Sequence, residues 1–360
     1  MTTTDESPST VAEPRRVWRR RAVDAFDERL GIKGLQYPVP EHANKLAYSL
    51  GGLTLITFVT MVASGIFLTQ YYDPDPTRAH ASVVVITTGV TLGRFVRGIH
   101  YWGAMAMIVL VGLHLLRVFV SGSFKRPREG NWTIGVALAA ITAGLFFSGS
   151  VVKWDQESIE ALSHNTEVGK LLGRLGFWFS PKFGGTPQLT RIFIVHIAVL
   201  PALFTLVIAA HLMLVKYHGM SPSTFRRQRS ESPEPTEPFS RHLARLGGYG
   251  MILFAVLFVL AAIFPPGIGH APVTGIEVTK PAWPMLWVYP IEDAVGVKGI
   301  LWAALAIFAL LVLVPVLDRG PERSPRRRLP MMIGASIVVA AMIALTIYGA
   351  SETVASHIGM

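Results

Sequence analysis

Seven runs of about 20 apolar residues recur along this chain of 360 residues. Each run is long enough to cross the hydrocarbon core of a membrane, which is about 30 Å thick. Hydrophobic residues make up 51% of the sequence and charged residues only 16%, a balance typical of membrane proteins. We therefore predict an all-α integral membrane protein with seven transmembrane helices. The predicted spans are residues 46–70, 97–119, 132–152, 190–215, 246–265, 298–317 and 330–350.

The net charge of +10 follows the order of these spans. Lysine and arginine are concentrated in the N-terminal segment and in the loops after the second, fourth and sixth spans, whereas the loops between are less basic. The positive-inside rule then predicts a multi-pass protein of the prokaryotic cytoplasmic membrane with a cytoplasmic N-terminus. Binding to nucleic acid is not needed to explain the charge. The first span lies too far from the N-terminus to be a cleavable signal peptide.

Two pairs of histidines lie inside the second and fourth spans. The pairs are His100 with His114 and His196 with His211, and the second spacing is longer than the first by a single position. On an α-helix either spacing is about four turns, so the members of a pair share one stripe and lie roughly 21–22 Å apart along the axis. Ionisable side chains within a membrane are costly and usually functional. Two facing helices would hold two flat cofactors, each between one histidine of either helix. The alternative, four unrelated core histidines, does not explain two matched pairs.

The sequence contains no cysteine. This excludes disulfides, thiolate metal sites, iron–sulfur clusters and thioether-linked haem within the chain. Zinc sites need three or four ligands close together, which pairs four turns apart do not supply. Two non-covalent haems, with His100, His114, His196 and His211 as the iron ligands, fit the spacing better, and the family resemblance described below implies that they are of b type.

Four glycines repeat the spacing of the first histidine pair. Gly51 and Gly65 in the first span have this spacing, and so do Gly135 and Gly149 in the third. Because glycine lets another surface approach the backbone closely, we expect these positions to give clearance to the two cofactors. The alternative is ordinary close packing of membrane helices at small residues.

Composition divides the chain into four parts. We predict a polar tail and an amphipathic surface helix in residues 1–31, and a four-helix unit that binds both haems in residues 32–218. A Pro/Ser-rich linker follows in residues 219–244. A unit of three further helices occupies residues 245–360.

Several stretches resemble the cytochrome b of bc-type quinol–cytochrome c oxidoreductases. They are AYSLGGLTL at 47–55, FVRGIHYWGAMAMIVLVGLHLLRVFVSGSFKRPREGNW at 95–132, KWDQ at 153–156 and TPQLTRIFIVHIAVLPALFTLVIAAHLMLVKYHGMS at 186–221. The resemblance is closest to the photosynthetic branch, in which cytochrome b is split into two polypeptides and the second histidine pair has the same longer spacing. The last three spans resemble the smaller polypeptide of that branch, here fused into the same chain.

The resemblance implies roles for individual residues. It places His100 and His196 at an outer haem, and His114 and His211 at an inner haem. It also implies that Arg97 and Arg117 meet haem propionates, for which buried positive charge is a suitable partner.

Two positions depart from the split-chain branch at the inner side. Ser49 stands where that branch has a cysteine that anchors an extra c-type haem, so covalent attachment is excluded there. Lys216 stands where that branch has an arginine near the extra haem, and we expect it at the inner quinone site.

The outer quinol site lacks the acidic residue that the family carries there. The family carries a Pro-Glu-Trp-Tyr motif whose glutamate accepts a proton from quinol, whereas the matching residues here are Pro281-Ala282-Trp283-Pro284. A general base is typically worth about 10²–10⁴-fold in rate, so another acid is expected to replace the glutamate. The candidate bases are Asp155, Asp293 and Glu292, with Asp155 preferred. The predicted quinone-site residues are Trp154, Pro281, Trp283 and Lys216.

These features predict the di-haem subunit of a membrane-bound quinol–cytochrome c oxidoreductase, catalytic only within a complex. Electrons would cross the membrane between an outer quinol-oxidising and an inner quinone-reducing site. The implied partners are a Rieske iron–sulfur protein, a c-type cytochrome and a second copy of the complex. Because the motif glutamate is missing, a di-haem membrane anchor that links another dehydrogenase or reductase to the quinone pool stays open. A haem-free transporter is a third, less favoured interpretation.

Overall fold

The computed structural model describes residues 24–25, 27–29, 37–181, 183–222 and 235–357. Most of the predicted surface helix at residues 14–31 and the middle of the predicted linker, residues 223–234, lie outside these ranges. Within them the chain is mainly helical. The long helices are α1 (Leu46–Thr69), α3 (Gly93–Val120), α4 (Glu129–Val152), α6 (Gln188–His218), α7 (Phe239–Ile263), α9 (Lys298–Leu317) and α10 (Leu329–Ser351). Shorter helices are α2 (Ala79–Thr88), α5 (Gln156–Leu171) and α8 (Tyr289–Val295), and the short strand β1 (Pro38–Pro40) pairs antiparallel with β2 (Thr236–Pro238).

The seven predicted spans are confirmed, because the seven long helices are each long and apolar enough to cross a membrane. In lipid every backbone N–H and C=O must find a partner within the protein, which an α-helix provides by itself. Threonine hydroxyls of α1 also find their hydrogen-bond partners within the helix. The hydroxyls of Thr54, Thr57 and Thr60 each donate a hydrogen bond to the carbonyl four residues earlier, at 2.8–2.9 Å.

Helices α1, α3, α4 and α6 form the central bundle. Helix α1 packs along α3, α4 packs along α6, and α7 covers α3 from the outside. Midway along the bundle all four helices contribute to one apolar cluster, in which the rings of Phe58 and Phe204 stack at 4.1 Å between centroids. The outward faces carry exposed apolar side chains such as Leu206 and Met213, as expected for a surface in contact with lipid.

A buried ion cluster joins the bundle to the last two helices at the end that carries His114. The Asp318 carboxylate, after α9, contacts the Lys125 ammonium and the Arg328 guanidinium, each at 2.6 Å. All three side chains are at most 9% exposed. Arg328 also donates a hydrogen bond to the carbonyl of Phe119 at 2.9 Å, so the start of α10 is tied to the end of α3.

A second cluster docks the C-terminal segment at the opposite end. His164 of α5 contacts Glu277 and Glu292 at 3.0 and 3.1 Å, and His357 contacts Glu277 and Asp293. Burial disfavours the charged imidazole, but the hydrogen bond and charge of Glu292, with help from Glu277, outweigh it and raise the pKa of His164 to about 9. The pKa of His357 is raised as well, because Asp293 and Glu277 outweigh its burial.

We expect Asp318→Ala to lower the free energy of unfolding by about 3–5 kcal/mol, because it leaves two buried cations unpaired. Thermal or chemical unfolding of the purified protein measures this. Glu167→Ala is the matched control, since it removes an exposed pair with Lys170 and should cost less than about 1 kcal/mol. Equal effects of the two substitutions would contradict the assigned role of the cluster.

The histidine cluster predicts a pH dependence of C-terminal docking. A histidine whose pKa is raised by folding stabilises the folded form fully below its unfolded value and loses that contribution as the pH rises through the folded value. The segment 352–357 should therefore become more accessible to carboxypeptidase as the pH rises through about 9. His164→Gln should expose the segment already at neutral pH, and equal protection at pH 7 and pH 10 would contradict this account.

Candidate functional site

The four intramembrane histidines lie on α3 and α6, which face each other across the bundle. The ring centroids of His100 and His196 are 6.3 Å apart, and the ring planes make an angle of 73°. Two metal–nitrogen bonds of about 2 Å each, added to the radii of the two rings, account for this separation. The first pair of rings therefore fits a single iron between them. We call His100 with His196 the first level of the bundle and His114 with His211 the second level.

Hydrogen bonds set the tautomer of both rings at this level. Nδ1 of His100 lies 2.9 Å from Ser64 Oγ, and Nδ1 of His196 lies 2.9 Å from Ser148 Oγ. Each serine hydroxyl donates its own proton to the carbonyl four residues earlier, at 2.8 and 2.7 Å, so it can only accept from the ring. Both rings consequently carry their proton on Nδ1. Nε2 then has the free lone pair that a metal requires.

A turn of π-helix lies at Val195–Val199 and includes His196. Pro201 has no N–H to offer to the carbonyl of Ile197, and its ring would crowd that carbonyl in a regular α-helix. The wider π turn absorbs one extra residue. This explains how His196 and His211 align with His100 and His114, although the spacing in α6 is longer by a single position.

Each predicted glycine faces one histidine. A Cβ at Gly65 would lie 3.3 Å from His100, one at Gly51 2.9 Å from His114, one at Gly149 3.0 Å from His196 and one at Gly135 3.5 Å from His211, measured to Cε1. Three of these four distances are closer than an ordinary van der Waals contact. The glycines therefore give clearance to the rings themselves, and contact with a cofactor stays a prediction.

The second level combines His114 and His211 with Arg117. His211 is near enough to His114 to act on it electrostatically. The Arg117 guanidinium lies 3.6 Å from the ring centroid of Tyr48, and its Nε is buried without a hydrogen-bond partner among the described residues. An unpaired buried donor on a cation suits an anionic group such as a haem propionate. Lys216 is exposed at the end of α6, and its role at a quinone site stays a prediction.

A cavity of about 480 Å³ surrounds the first level. Its walls include both histidine rings, Arg97, Ala282 and Trp283. Arg97 donates hydrogen bonds of 2.8 Å to the carbonyls of Pro266 and Gly267, which fixes the guanidinium at the cavity wall. The site thus joins the first histidine level to the segment that replaces the family's quinol motif.

Two predicted residues of the outer site do not line this cavity. Trp154 is buried in an apolar cluster, where its Nε1 donates to the carbonyl of Pro76 at 2.9 Å. Pro281 lies beside the cavity rather than in its wall, although Ala282 and Trp283 next to it do form the wall. The role of Trp154 and Pro281 at a quinone site stays a prediction.

The three acids predicted as bases contact other groups, and their catalytic role stays a prediction. Asp155 caps the N-terminus of α5, since its Oδ1 accepts from the backbone N–H of Ser158 at 3.1 Å and from its hydroxyl at 2.8 Å. Asp293 pairs with His357 in the C-terminal cluster. Glu292, the remaining candidate, pairs with His164 there. The wall of the cavity contains none of these three carboxylates.

Sequence reasoning missed three residues. Ser64 and Ser148 each precede a spaced glycine, so the dipeptide Ser-Gly at both positions would have indicated them. Glu157 directly follows the KWDQ segment, and it is the one carboxylate among the described residues that line the cavity. Glu157 lies two positions after Asp155, the acid that the sequence favoured.

Comparison with known proteins gives matches to both halves of one family. The family profile "Cytochrome b(N-terminal)/b6/petB" matches residues 105–271, and "Cytochrome b(C-terminal)/b6/petD" matches residues 270–359. A further profile, "Prokaryotic cytochrome b561", matches residues 12–131. The profiles for the two halves of cytochrome b therefore follow each other in a single chain.

Individual relatives agree with the profiles. The menaquinol:cytochrome c reductase cytochrome b subunit of Geobacillus thermodenitrificans is 36% identical over 215 residues, which are 55% of this chain and 96% of the relative. The cytochrome bc complex cytochrome b subunit of Chlorobaculum thiosulfatiphilum is 32% identical over 322 residues, which are 86% of this chain and 74% of the relative. A chain of a hyperthermophilic respiratory Complex III superposes with a TM-score of 0.80 at 25% identity, covering 92% of this chain and 91% of that one.

We expect Gly149→Val to lower the haem content of the chain, because its Cβ would displace the His196 ring and break the bond to Ser148. Overpacking of this kind typically costs about 1–3 kcal/mol, and here it falls on a predicted metal ligand. The haem content per chain, measured as the pyridine haemochrome, should fall below that of the wild type. Gly130→Val in the same helix is the control, since a Cβ there meets nothing within 4 Å. Unchanged haem content in the Gly149 variant would contradict the assigned contact.

Proposed function

The chain belongs to the cytochrome b family, and from this membership we propose that it is the di-haem subunit of a membrane quinol–cytochrome c oxidoreductase. The observation that carries the proposal is the first histidine level. There two rings lie 6.3 Å apart, each with Nε2 free to bind iron. The relatives named as cytochrome b subunits of reductase or bc complexes support the same role.

The residues that would hold the two haems follow from the geometry. His100 and His196 would ligate the haem of the first level, and His114 and His211 that of the second. When bound, each haem supplies a one-electron carrier within the membrane. The protein orients the histidine rings through serine and glycine contacts, and Arg117 offers an unpaired donor to an acidic group at the second level. The layer around Phe58 and Phe204 excludes water between the two levels.

The sidedness of the two levels belongs to the same proposal. We place the first level towards the outer face of a prokaryotic cytoplasmic membrane and the second towards the cytoplasm, with the N-terminus inside, as the positive-inside rule requires. Quinol would be oxidised in the cavity at the first level, and quinone would be reduced near the second. We also retain the division into a haem-binding unit (32–218), a linker (219–244) and a C-terminal unit (245–360).

The partners must carry the redox groups that this chain lacks. Without cysteine the chain binds neither an iron–sulfur cluster through thiolates nor a thioether-linked haem. We propose a Rieske-type iron–sulfur protein and a c-type cytochrome as partners in a dimeric complex. A di-haem anchor for another dehydrogenase or reductase remains the second candidate, because Ala282 replaces the motif glutamate. Co-purification of an iron–sulfur protein favours the first function, whereas a soluble dehydrogenase in its place favours the second.

The purified complex should contain two low-spin haems per copy of this chain, with absorption bands of b-type haem. His114→Ala should remove the haem of the second level and leave most of the first, because the two levels use separate ligands. The dithionite-reduced spectrum and the haemochrome measure both quantities. His218→Ala serves as the control, because His218 is the last residue of α6 and is not one of the four proposed ligands. One haem or none in the wild-type chain would contradict the proposal.

No haem should be attached covalently to this polypeptide. Ser49, which is buried on α1, cannot form the thioether that a cysteine would form, and the chain has no cysteine elsewhere. Acid–acetone should therefore extract all haem from the chain. A haem-dependent peroxidase signal at the mass of this polypeptide on a denaturing gel would contradict this prediction.

A further inference from the structure

The cavity at the first histidine level contains one carboxylate among the described residues of its wall, that of Glu157. Its neighbours there include Lys153, Ala282 and Trp283. Glu157 lies in the first turn of α5 and its side chain is 23% exposed. A half-buried acid at the edge of a large apolar cavity is the kind of group that exchanges protons with a bound substrate.

Glu157 also contacts the residue that replaces the motif glutamate. Its Oε1 accepts a hydrogen bond of 3.1 Å from the backbone N–H of Ala282. The carboxylate of Glu157 therefore lies beside the backbone position at which the family carries its own. From this geometry we propose that Glu157 is the group that accepts a proton from quinol in the outer site. The inference rests on the proposed function and names the base of that same site.

The loop that brings Ala282 to Glu157 is itself held by α5. The carboxylate of Glu160 accepts from the backbone N–H groups of Val278 and Thr279 at 2.9 and 3.0 Å, and from the Thr279 hydroxyl. The side-chain oxygen of Gln156 accepts from the N–H of Val273 at 2.7 Å. One face of α5 thus fixes the loop backbone at several points, and the contact between Glu157 and Ala282 is part of this fixed arrangement.

The nearby acids Asp155 and Glu160 do not line the cavity, and each holds the backbone through its carboxylate. Asp155 uses Oδ1 for the cap of α5 and Oδ2 for Lys153 at 3.2 Å, and a Cβ at Gly269 would collide with it. Both oxygens of Glu160 hold the loop. The two oxygens of Glu157 are also engaged, Oε1 by the backbone N–H of Ala282 and Oε2 by Lys153, but Glu157 lines the cavity. A carboxylate oxygen that accepts one hydrogen bond can accept a second. That second position is available to a quinol hydroxyl.

Lys153 makes the change of charge on Glu157 tolerable. Its ammonium contacts both Glu157 and Asp155. Once Glu157 is neutral, Lys153 retains Asp155 as its partner, and no partly buried cation is left unpaired. The pair of carboxylates around one lysine therefore allows a proton to arrive and leave with little electrostatic cost.

The chemistry balances with the partners already named. Conversion of a quinol to a quinone breaks two O–H bonds and releases two electrons and two protons. One proton would go to a Glu157 oxygen and the other to water at the outer face. The two electrons would go singly to the oxidants of the proposed function, one to the iron–sulfur partner and one to haem iron. Glu157 then returns its proton to water, since its side chain is partly exposed.

The test uses the intact complex with short-chain naphthoquinol or benzoquinol, whichever the wild type oxidises, and cytochrome c as the acceptor. Glu157→Gln should lower kcat by at least about tenfold, since a general base is worth about 10²–10⁴-fold and water can replace part of it. The acidic limb of the pH–rate profile should disappear as well. Glu167→Gln, the same substitution in the same helix but paired with Lys170 outside the cavity, should retain the wild-type rate.

Two further variants separate a lost base from a damaged fold. Glu157→Asp keeps a carboxylate and should retain more activity than Glu157→Gln. The double variant Glu157→Gln/Ala282→Glu returns a carboxylate to the adjacent position and should recover at least part of the rate. Both haems, seen in the dithionite-reduced spectrum, should be retained in every variant.

Each outcome bears on the proposal. A rate in Glu157→Gln within twofold of the wild type, with both haems bound, overturns the role of Glu157 and leaves the proposed function intact. Loss of activity that neither Glu157→Asp nor the double variant relieves also overturns it, because the defect would then not follow the carboxylate. Absence of quinol oxidation in the wild-type complex, despite two haems, overturns the proposed function and this inference together.

Discussion

The contact between each paired histidine and a glycine on the neighbouring helix sets the register of the four central helices. The rings come so close to the opposite backbone that a single added carbon would collide with three of the four. Because glycines and histidines share a spacing of about four turns, both levels can be satisfied by one arrangement of straight helices. The serines before Gly65 and Gly149 then orient the rings of the first level. The apolar layer around Phe58 and Phe204 fills the space between the levels.

The sequence was sufficient to predict the seven spans, since length and apolar composition decide what crosses a membrane. It was also sufficient to pair the histidines, but the π turn of α6 was not predicted. One extra residue rotates a regular helix by about 100°, and only the wider turn before Pro201 removes that rotation. The short helices outside the membrane were missed as well, because they are amphipathic or only a few turns long and are defined by contacts with distant segments.

The outer site shows why the choice of acid could not be settled from motifs alone. Asp155 and Glu157 are separated by a single residue, so on α5 they point in different directions. Asp155 caps the N-terminus of the helix, whereas Glu157 reaches the cavity. Ala282 is distant from both in sequence and arrives beside Glu157 only through the hydrogen bonds that Gln156 and Glu160 make to its loop. The site is therefore a property of both halves of cytochrome b in one chain.

A cryo-electron microscopy map of the purified complex tests the central claim most directly, because it shows whether the paired histidines bind iron. The account predicts two planar densities, one with its metal between Nε2 of His100 and His196 and one with its metal between His114 and His211. Nδ1 of the first two rings should remain within hydrogen-bond distance of Ser64 and Ser148. A map in which either level lacks a metal, or in which a ring turns its Nδ1 to the metal, would contradict it.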